Sequence, residues 1–475
     1  MGFEQGLSGL NAASKSLDVI GNNVANSSTV GFKESQAQFA DVYASSMAGS
    51  SGGQAGIGVR VATVAQQFTQ GNITTTNNSL DMAISGSGFF RMDNNGSITY
   101  SRNGQFQLDK NGFIVDNQGN NLTGFQPNAA GVIIATTPAD IQVSTADLLP
   151  KATVNVTAGL NLDARSTVPT VAPFDPNNAA TFNNSTSSTI YDSLGGSHVA
   201  SLYFAKTAAN TWNAYLTVDG TQVGAGALTG MTFSTSGVLT SPVGAVTSAS
   251  FTPGVSTLAG SSTTNGSPVV TVTNTSGLAI GDTVTGAGIP AGTTVIGITA
   301  PNTVTLSANA TATATPVTLT FTSSALAAAQ TQAINFATTS QFGSTFGVNS
   351  LSQDGYTSGH MTGFSTGSDG IVTGRYSNGQ TKTLAQVVLA NFSNAQGLQP
   401  LGNNQFAETS TSGTPLVGVP GSASLGLLQT SATEDSNVDL TAELVNMITA
   451  QRAYQANAQT IKTQDQILQT IVNLR

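Results

Sequence analysis

The chain has 475 residues, no cysteine, a formal net charge of −9 and 8% charged side chains, against roughly 25% in ordinary soluble domains. That length exceeds what one hydrophobic core comfortably supports, so three or more domains are expected. The lack of cysteine excludes disulfides, zinc–thiolate sites and thiol nucleophiles, and 14 Lys and Arg with no basic cluster argue against nucleic acid.

At the N-terminus the first cation is Lys15, and no charged n-region precedes an apolar h-region and cleavage site. No apolar run reaches membrane-spanning length. Export without a cleaved signal peptide and no membrane insertion are therefore expected. Phe3, Leu10, Leu17 and Val24 recur every seven residues, and a second line four residues later runs Leu7, Ser14, Gly21. One apolar and one half-polar line predict a helix with a coiled-coil seam. It should stop before Gly31, after the polar stretch Asn26-Ser27-Ser28-Thr29.

Ser45 to Gly58 is Gly/Ser-rich and reads as a loop or linker. From 80 to 125 short strands alternate with hairpin signals at Asn95-Gly96, Asn103-Gly104, Asn111-Gly112 and Gln118-Gly119. Strands continue from 150 to 240, with Tyr203, Phe204, Trp212 and Tyr215 as expected core aromatics. Between 241 and 330 the composition turns to Thr, Val, Ala and Gly, with Asp282 the one charged residue. Segments 268–273, 294–298 and 303–306 read there as strands of a small inserted β domain. Beyond 350 the strand pattern returns, with turn signals at Asp354-Gly355, Asp369-Gly370 and Asn378-Gly379.

The C-terminal heptad line is Leu440, Met447, Tyr454, Ile461 and Leu468, with companions Leu444, Gln451, Ala458, Asp465 and Val472. Ser436 or Asn437 is the expected N-cap. About thirty residues without Gly or Pro make a rod of roughly 55 Å. The expected fold class is α+β, mainly β: terminal helices forming a coiled-coil inner domain, with nested β-rich outer domains. Helices 1–30 and 436–475 form the inner module, and 31–70 is a connecting segment. A β-rich middle domain takes 71–150 and 351–435, and an outer domain 151–240 and 331–350, with 241–330 inserted. Helices with half-polar seams bury too little alone and need neighbours.

Signs of catalysis are weak. His198 and His360 sit in Gly/Ser-rich contexts without a second His, Cys or acid at metal-ligand spacing, and read as turn or surface residues. Gly49-Ser50-Ser51-Gly52-Gly53 spells a nucleophile elbow, but in a low-complexity loop. Gly86-Ser87-Gly88 lacks the third glycine of a dinucleotide loop. Glu434-Asp435 reads as a solvated pair before the helix. No enzyme, cofactor or metal site is expected.

Longer motifs identify a family. Asn11-Ala12-Ala13-Ser14, then Leu17 through Asn26 and Thr29-Val30-Gly31-Phe32-Lys33, resemble the N-terminal signature of the flagellar rod and hook proteins. Leu80 through Phe90, Tyr100 through Phe106, and Ser436 through Asn457 continue the resemblance. Length points to the hook branch, as do Gln353-Asp354-Gly355-Tyr356 and Tyr376-Ser377-Asn378-Gly379-Gln380-Thr381. The resemblance covers roughly 1–125 and 350–475, more loosely 150–240, while 241–330 departs from it.

The resemblance implies a helical homopolymer: a curved, flexible tube on the bacterial flagellum that acts as a universal joint. It implies export by the flagellar type III apparatus, and rod, hook-cap, length-control and hook–filament junction proteins as partners. Inter-subunit helix packing then falls to Phe3, Leu7, Leu10, Leu17, Val24, Leu440, Leu444, Met447, Tyr454, Ile461, Leu468 and Val472. Phe39 and Tyr43 match the family's short export-gate motif. A distal rod-type subunit is the nearest alternative. A surface adhesin or binding module is a second, and an enzyme hidden in the insertion the least supported.

Overall fold

Of the two long helices in the computed structural model, Gly2–Ala25 (α1) precedes all the described strands and Leu440–Asn473 (α2) follows them. The structure describes residues 2–42, 56, 58–128 and 131–473. Most of the Gly/Ser-rich 45–58 segment lies outside these. α1 carries Glu4 in its first turn, where the helix dipole favours negative charge. α2 starts later than the sequence suggests. Its cap is Asp439, whose Oδ1 accepts from Thr441 N at 2.9 Å and Ala442 N at 3.1 Å. Asn437 is occupied elsewhere, as described below.

The remainder is mainly β. The chain divides into two compact units, a terminal unit of 1–146 with 361–475 and a middle unit of 147–360.

In the terminal unit, Ser35–Val42 (β1) and Gly58–Gln66 (β2) pair as an antiparallel ribbon. The main sheet runs in the order 361–366, 371–376, 381–387, 121–125, 89–94, 97–101, 405–407, 399–402. Its core gathers Met82, Phe90, Leu122, Val387 and Leu389, with a second cluster around Phe89, Tyr100 and Phe406. Asn95-Gly96 turns a hairpin with both residues at positive φ (51° and 92°), the two-residue geometry that matches strand twist. Gly112, Gly119, Gly370 and Gly379 turn at the other expected sites.

Two turn signals mean something else. Gly104 keeps negative φ and lies against the carbonyl of Met82, with no room for a Cβ. Asp354-Gly355 is a clamp: the Asp354 carboxylate accepts from Val154 N and Asn155 N at 2.9 and 2.8 Å. Although burial pushes this carboxyl up, those amides and Lys151 hold it well below the usual range.

In the middle unit, Asn155–Asp163 lies parallel to Ala333–Asn335 and Ser340–Phe342 and antiparallel to Gly347–Gln353. This sheet packs on a second, ordered 184–191, 197–208, 211–218, 229–233, 239–241. Leu160, Phe204, Trp212, Met231 and Phe336 fill the space between them. Strand alternation sends Phe204 and Trp212 inward, and Tyr203 and Tyr215 to the opposite face. There Phe174 stacks on Tyr215 at 4.1 Å, so only half of the expected aromatic core lies inside.

A third sheet, ordered 283–286, 314–322, 255–263, 269–271, 303–306, 295–299, encloses its own core of Val270, Val304, Leu319 and Phe321. A narrow ribbon leads into it. Ala245–Thr247 pairs with Ala333–Asn335, Phe251 bridges Gln330, and Val255 stands opposite Thr322.

Candidate functional site at the helix roots and helix faces

α1 and α2 pack antiparallel along small residues. A Cβ on Gly6 would lie 3.1 Å from Ile461 Cγ1, and one on Gly9 2.8 Å from the Asn457 amide. Ala13, Val19, Ile20 and Asn23 are the buried side chains of α1. On α1 the buried stripe is thus not the heptad line, whereas α2 lends Ile461 of its own heptad line to the contact.

Half of the twelve residues expected to pack between subunits remain exposed. Phe3, Leu7, Leu440, Leu444, Tyr454 and Leu468 are exposed, from 38% (Tyr454) to 54% (Leu468). Leu10, Leu17, Val24 and Met447 are half-buried, as is Ile461, which is spent partly on Gly6. The side chain of Val472 lies outside the described residues. Val445, Ile448 and Ile467 are also exposed, and the seven-residue count missed them. Leu440, Leu444 and Ile448 advance by four, so a 3.6-residue count would have found part of this wider stripe. Phe39 is exposed on β1 opposite Val61. Tyr43, its partner in the expected export motif, lies outside the described residues.

Where the helices join the β structure, buried polar groups fix the geometry. Glu434 is fully buried, contrary to its reading as solvated. Its Oε1 accepts from Lys33 Nζ at 2.6 Å and Gly71 N at 2.9 Å, and its Oε2 from Arg102 Nη1 at 3.2 Å. Its backbone carbonyl accepts from Gly31 N, and Lys33 Nζ also donates to Thr69 O at 2.7 Å. Burial pulls both cations below their ordinary values, and Glu434 opposes this. One carboxylate therefore ties together the segment after α1, the segment after β2, the main sheet and the approach to α2.

Two asparagines complete the root. Asn23 donates to Ser35 O at 2.8 Å and Glu443 Oε2 at 3.3 Å, while its Oδ1 accepts from Ser35 N at 2.9 Å. Asn437 Oδ1 accepts from Glu34 N at 2.7 Å and its amide donates to Gln67 O at 2.8 Å. These groups escaped the sequence reading, although in a chain with so few charges Lys33 and Arg102 both lie inside the family motifs. Asn23→Ala should cost about 1–3 kcal/mol by leaving Ser35 and Glu443 groups unpaired in a buried place. Chemical denaturation of the terminal unit checks this, and a change below about 0.5 kcal/mol would show that water takes over.

Family models match in four stretches. Residues 3–33 match the flagella basal body rod protein and 83–158 the flagellar hook protein FlgE/F/G D1 domain. Residues 161–356 match the flagellar basal body protein FlaE D2 domain, and 429–474 the FlgEFG rod protein C-terminal region. The chain is 39% identical to the flagellar hook protein FlgE of Escherichia coli, with 100% of both chains covered. It is 40% identical to that of Salmonella typhimurium, again over 100% of both. With that of Borreliella burgdorferi it shares 30% over 99% of this chain and 98% of the relative.

The chain belongs to the flagellar hook protein family.

The two outermost matches, 3–33 and 429–474, contain α1, α2, Lys33 and Glu434. Arg102 falls within 83–158, while the root's backbone partners at Glu34, Ser35, Gln67, Thr69 and Gly71 lie between the matched stretches.

Proposed function

We propose that this chain builds the bacterial flagellar hook, a hollow, curved and flexible tube that acts as a universal joint and passes torque from rod to filament. The observation that carries the reading is the end-to-end likeness to hook proteins. As a member of that family the chain is a structural subunit and not an enzyme.

The helices form the inner, channel-lining coiled-coil domain, and the β-rich parts nest outward from it, with 241–330 as the outermost insertion. Apolar residues left open on α1 and α2 support this, because each helix can meet several neighbours. An open tube needs such unlike-patch contacts, whose rotation does not close a ring. The rod, hook-cap, length-control and hook–filament junction proteins are its partners at the two ends, and the flagellar export apparatus delivers it.

Electron microscopy of the purified chain under polymerising conditions tests the proposal. Curved hollow tubes are expected. Straight rigid tubes would favour a rod-type subunit, and the absence of any polymer, with no motility restored to hook-deficient cells, would overturn it.

A further inference from the structure

Two turns of the middle unit, 192–196 and 219–220, are joined by one imidazole. His198 Nδ1 lies 2.6 Å from Asp219 Oδ2 and Nε2 3.2 Å from Asp192 Oδ2, with all three side chains largely buried. The other carboxylate oxygens are held by backbone. Asp219 Oδ1 accepts from Val199 N, and Asp192 Oδ1 from Leu194 N and Gly196 N. His198 is therefore not the isolated turn histidine that its sequence context suggested.

Each turn also touches the chain of the third sheet or the ribbon leading to it. Ser193 Oγ accepts from Ala328 N at 2.9 Å. Gly277 lies so close against Asp219 that no Cβ would fit, and Gly220 faces the Asn274 amide. This seam mixes apolar side chains such as Val218, Phe251 and Val255 with polar groups that lack partners. Thr221 Oγ1 and both amide atoms of Gln330 are buried without a hydrogen-bond partner. A cavity of about 190 Å³ separates Asp219 and Thr221 from Thr252–Ser256.

We infer that Asp192, His198 and Asp219 form a protonation-sensitive latch that pins both turns, and through them the 255–322 sheet, to the two-sheet core of the middle unit. The doubly protonated ring donates from both nitrogens. The neutral ring donates from one, so the longer bond to Asp192 is lost and a lone pair faces a carboxylate. Asp192 and Asp219 are the charged groups that face the ring, and segments 274–277 and 328 bring none. The hydrogen bond to Asp219 raises the imidazole above its ordinary value, burial opposes this, and Asp192 adds to the rise. A raised folded value means that the latch is fully closed below about pH 6.5. It is released as pH climbs through the folded value.

The test is hydrogen exchange on the full-length monomer from pH 5.5 to 9, corrected for intrinsic rates, with NMR titration of the two histidines. Protection of amides 194–196 and 328, which depend on the Asp192 turn, should fall about fivefold or more as His198 loses its proton, with 219–222 changing less. In His198→Gln it should sit at the high-pH level throughout. Protection that stays constant while His198 titrates, or a pH dependence that survives in His198→Gln, would overturn the latch. Should His198→Gln fold poorly, Asp192→Asn provides the second arm. It should flatten the pH profile while leaving the Asp219 bond, and an unchanged profile counts against the proposal.

Discussion

Glu434→Gln should lower the stability of the terminal unit by about 3–5 kcal/mol, the cost typical of breaking a buried charge network from one side. The substitution keeps the shape and one accepting oxygen, but leaves Lys33 and Arg102 buried with no counter-charge. At roughly 2–4 °C per kcal/mol for a unit of this size, the calorimetric transition should fall by on the order of 10 °C. Trp212, the single tryptophan, is fully buried in the middle unit. Its fluorescence transition should stay in place, which separates local damage from general unfolding. A loss below about 1 kcal/mol would mean that desolvation already cancels the attraction and that the root is held by the asparagines alone.

The second large effect concerns assembly without folding. Leu444→Ser combined with Leu468→Ser removes two side chains that are about half exposed in the single chain. Each gives up about 1 kcal/mol of the burial still available to it. Each hydroxyl adds about 1–3 kcal/mol if it is buried between subunits without a partner. The pair thus loses roughly 4 kcal/mol or more per subunit, which corresponds to about a thousandfold rise in the critical concentration for tubes. Sedimentation of polymer from monomer measures this directly. The monomer's melting temperature should hold, because neither residue is buried within the chain. Tubes forming at the native concentration would place the assembly contacts on another face.

What could be read from the sequence was whatever depends on local pattern. The seven-residue recurrence located both helices, and Gly at positive φ betrayed the hairpins at 95–96, 111–112, 118–119, 369–370 and 378–379. Local pattern failed where a distant group decides. Gly104 is set by the Met82 carbonyl, and the Asp354 carboxylate by the amides of Val154 and Asn155. Ser436 or Asn437 was the expected cap, but Asn437 is claimed by Glu34 and Gln67 and Asp439 caps the helix instead. Glu434 passed for a surface acid because both of its cations lie more than three hundred residues away along the chain. Alternation could say that Tyr203 and Phe204 face opposite ways, but not which way is inward.

The ribbon into the third sheet has a consequence for how such a protein diversifies. Val255 enters opposite Thr322 as it leaves, and Ser323 N donates to Gly254 O at 2.7 Å. The two cut points are side by side, so a foreign sequence whose own ends meet can replace everything between them without stretching the host. Lineages can therefore trade this module for another, or discard it, and an engineer can graft cargo there while the two-sheet core that carries it is left alone.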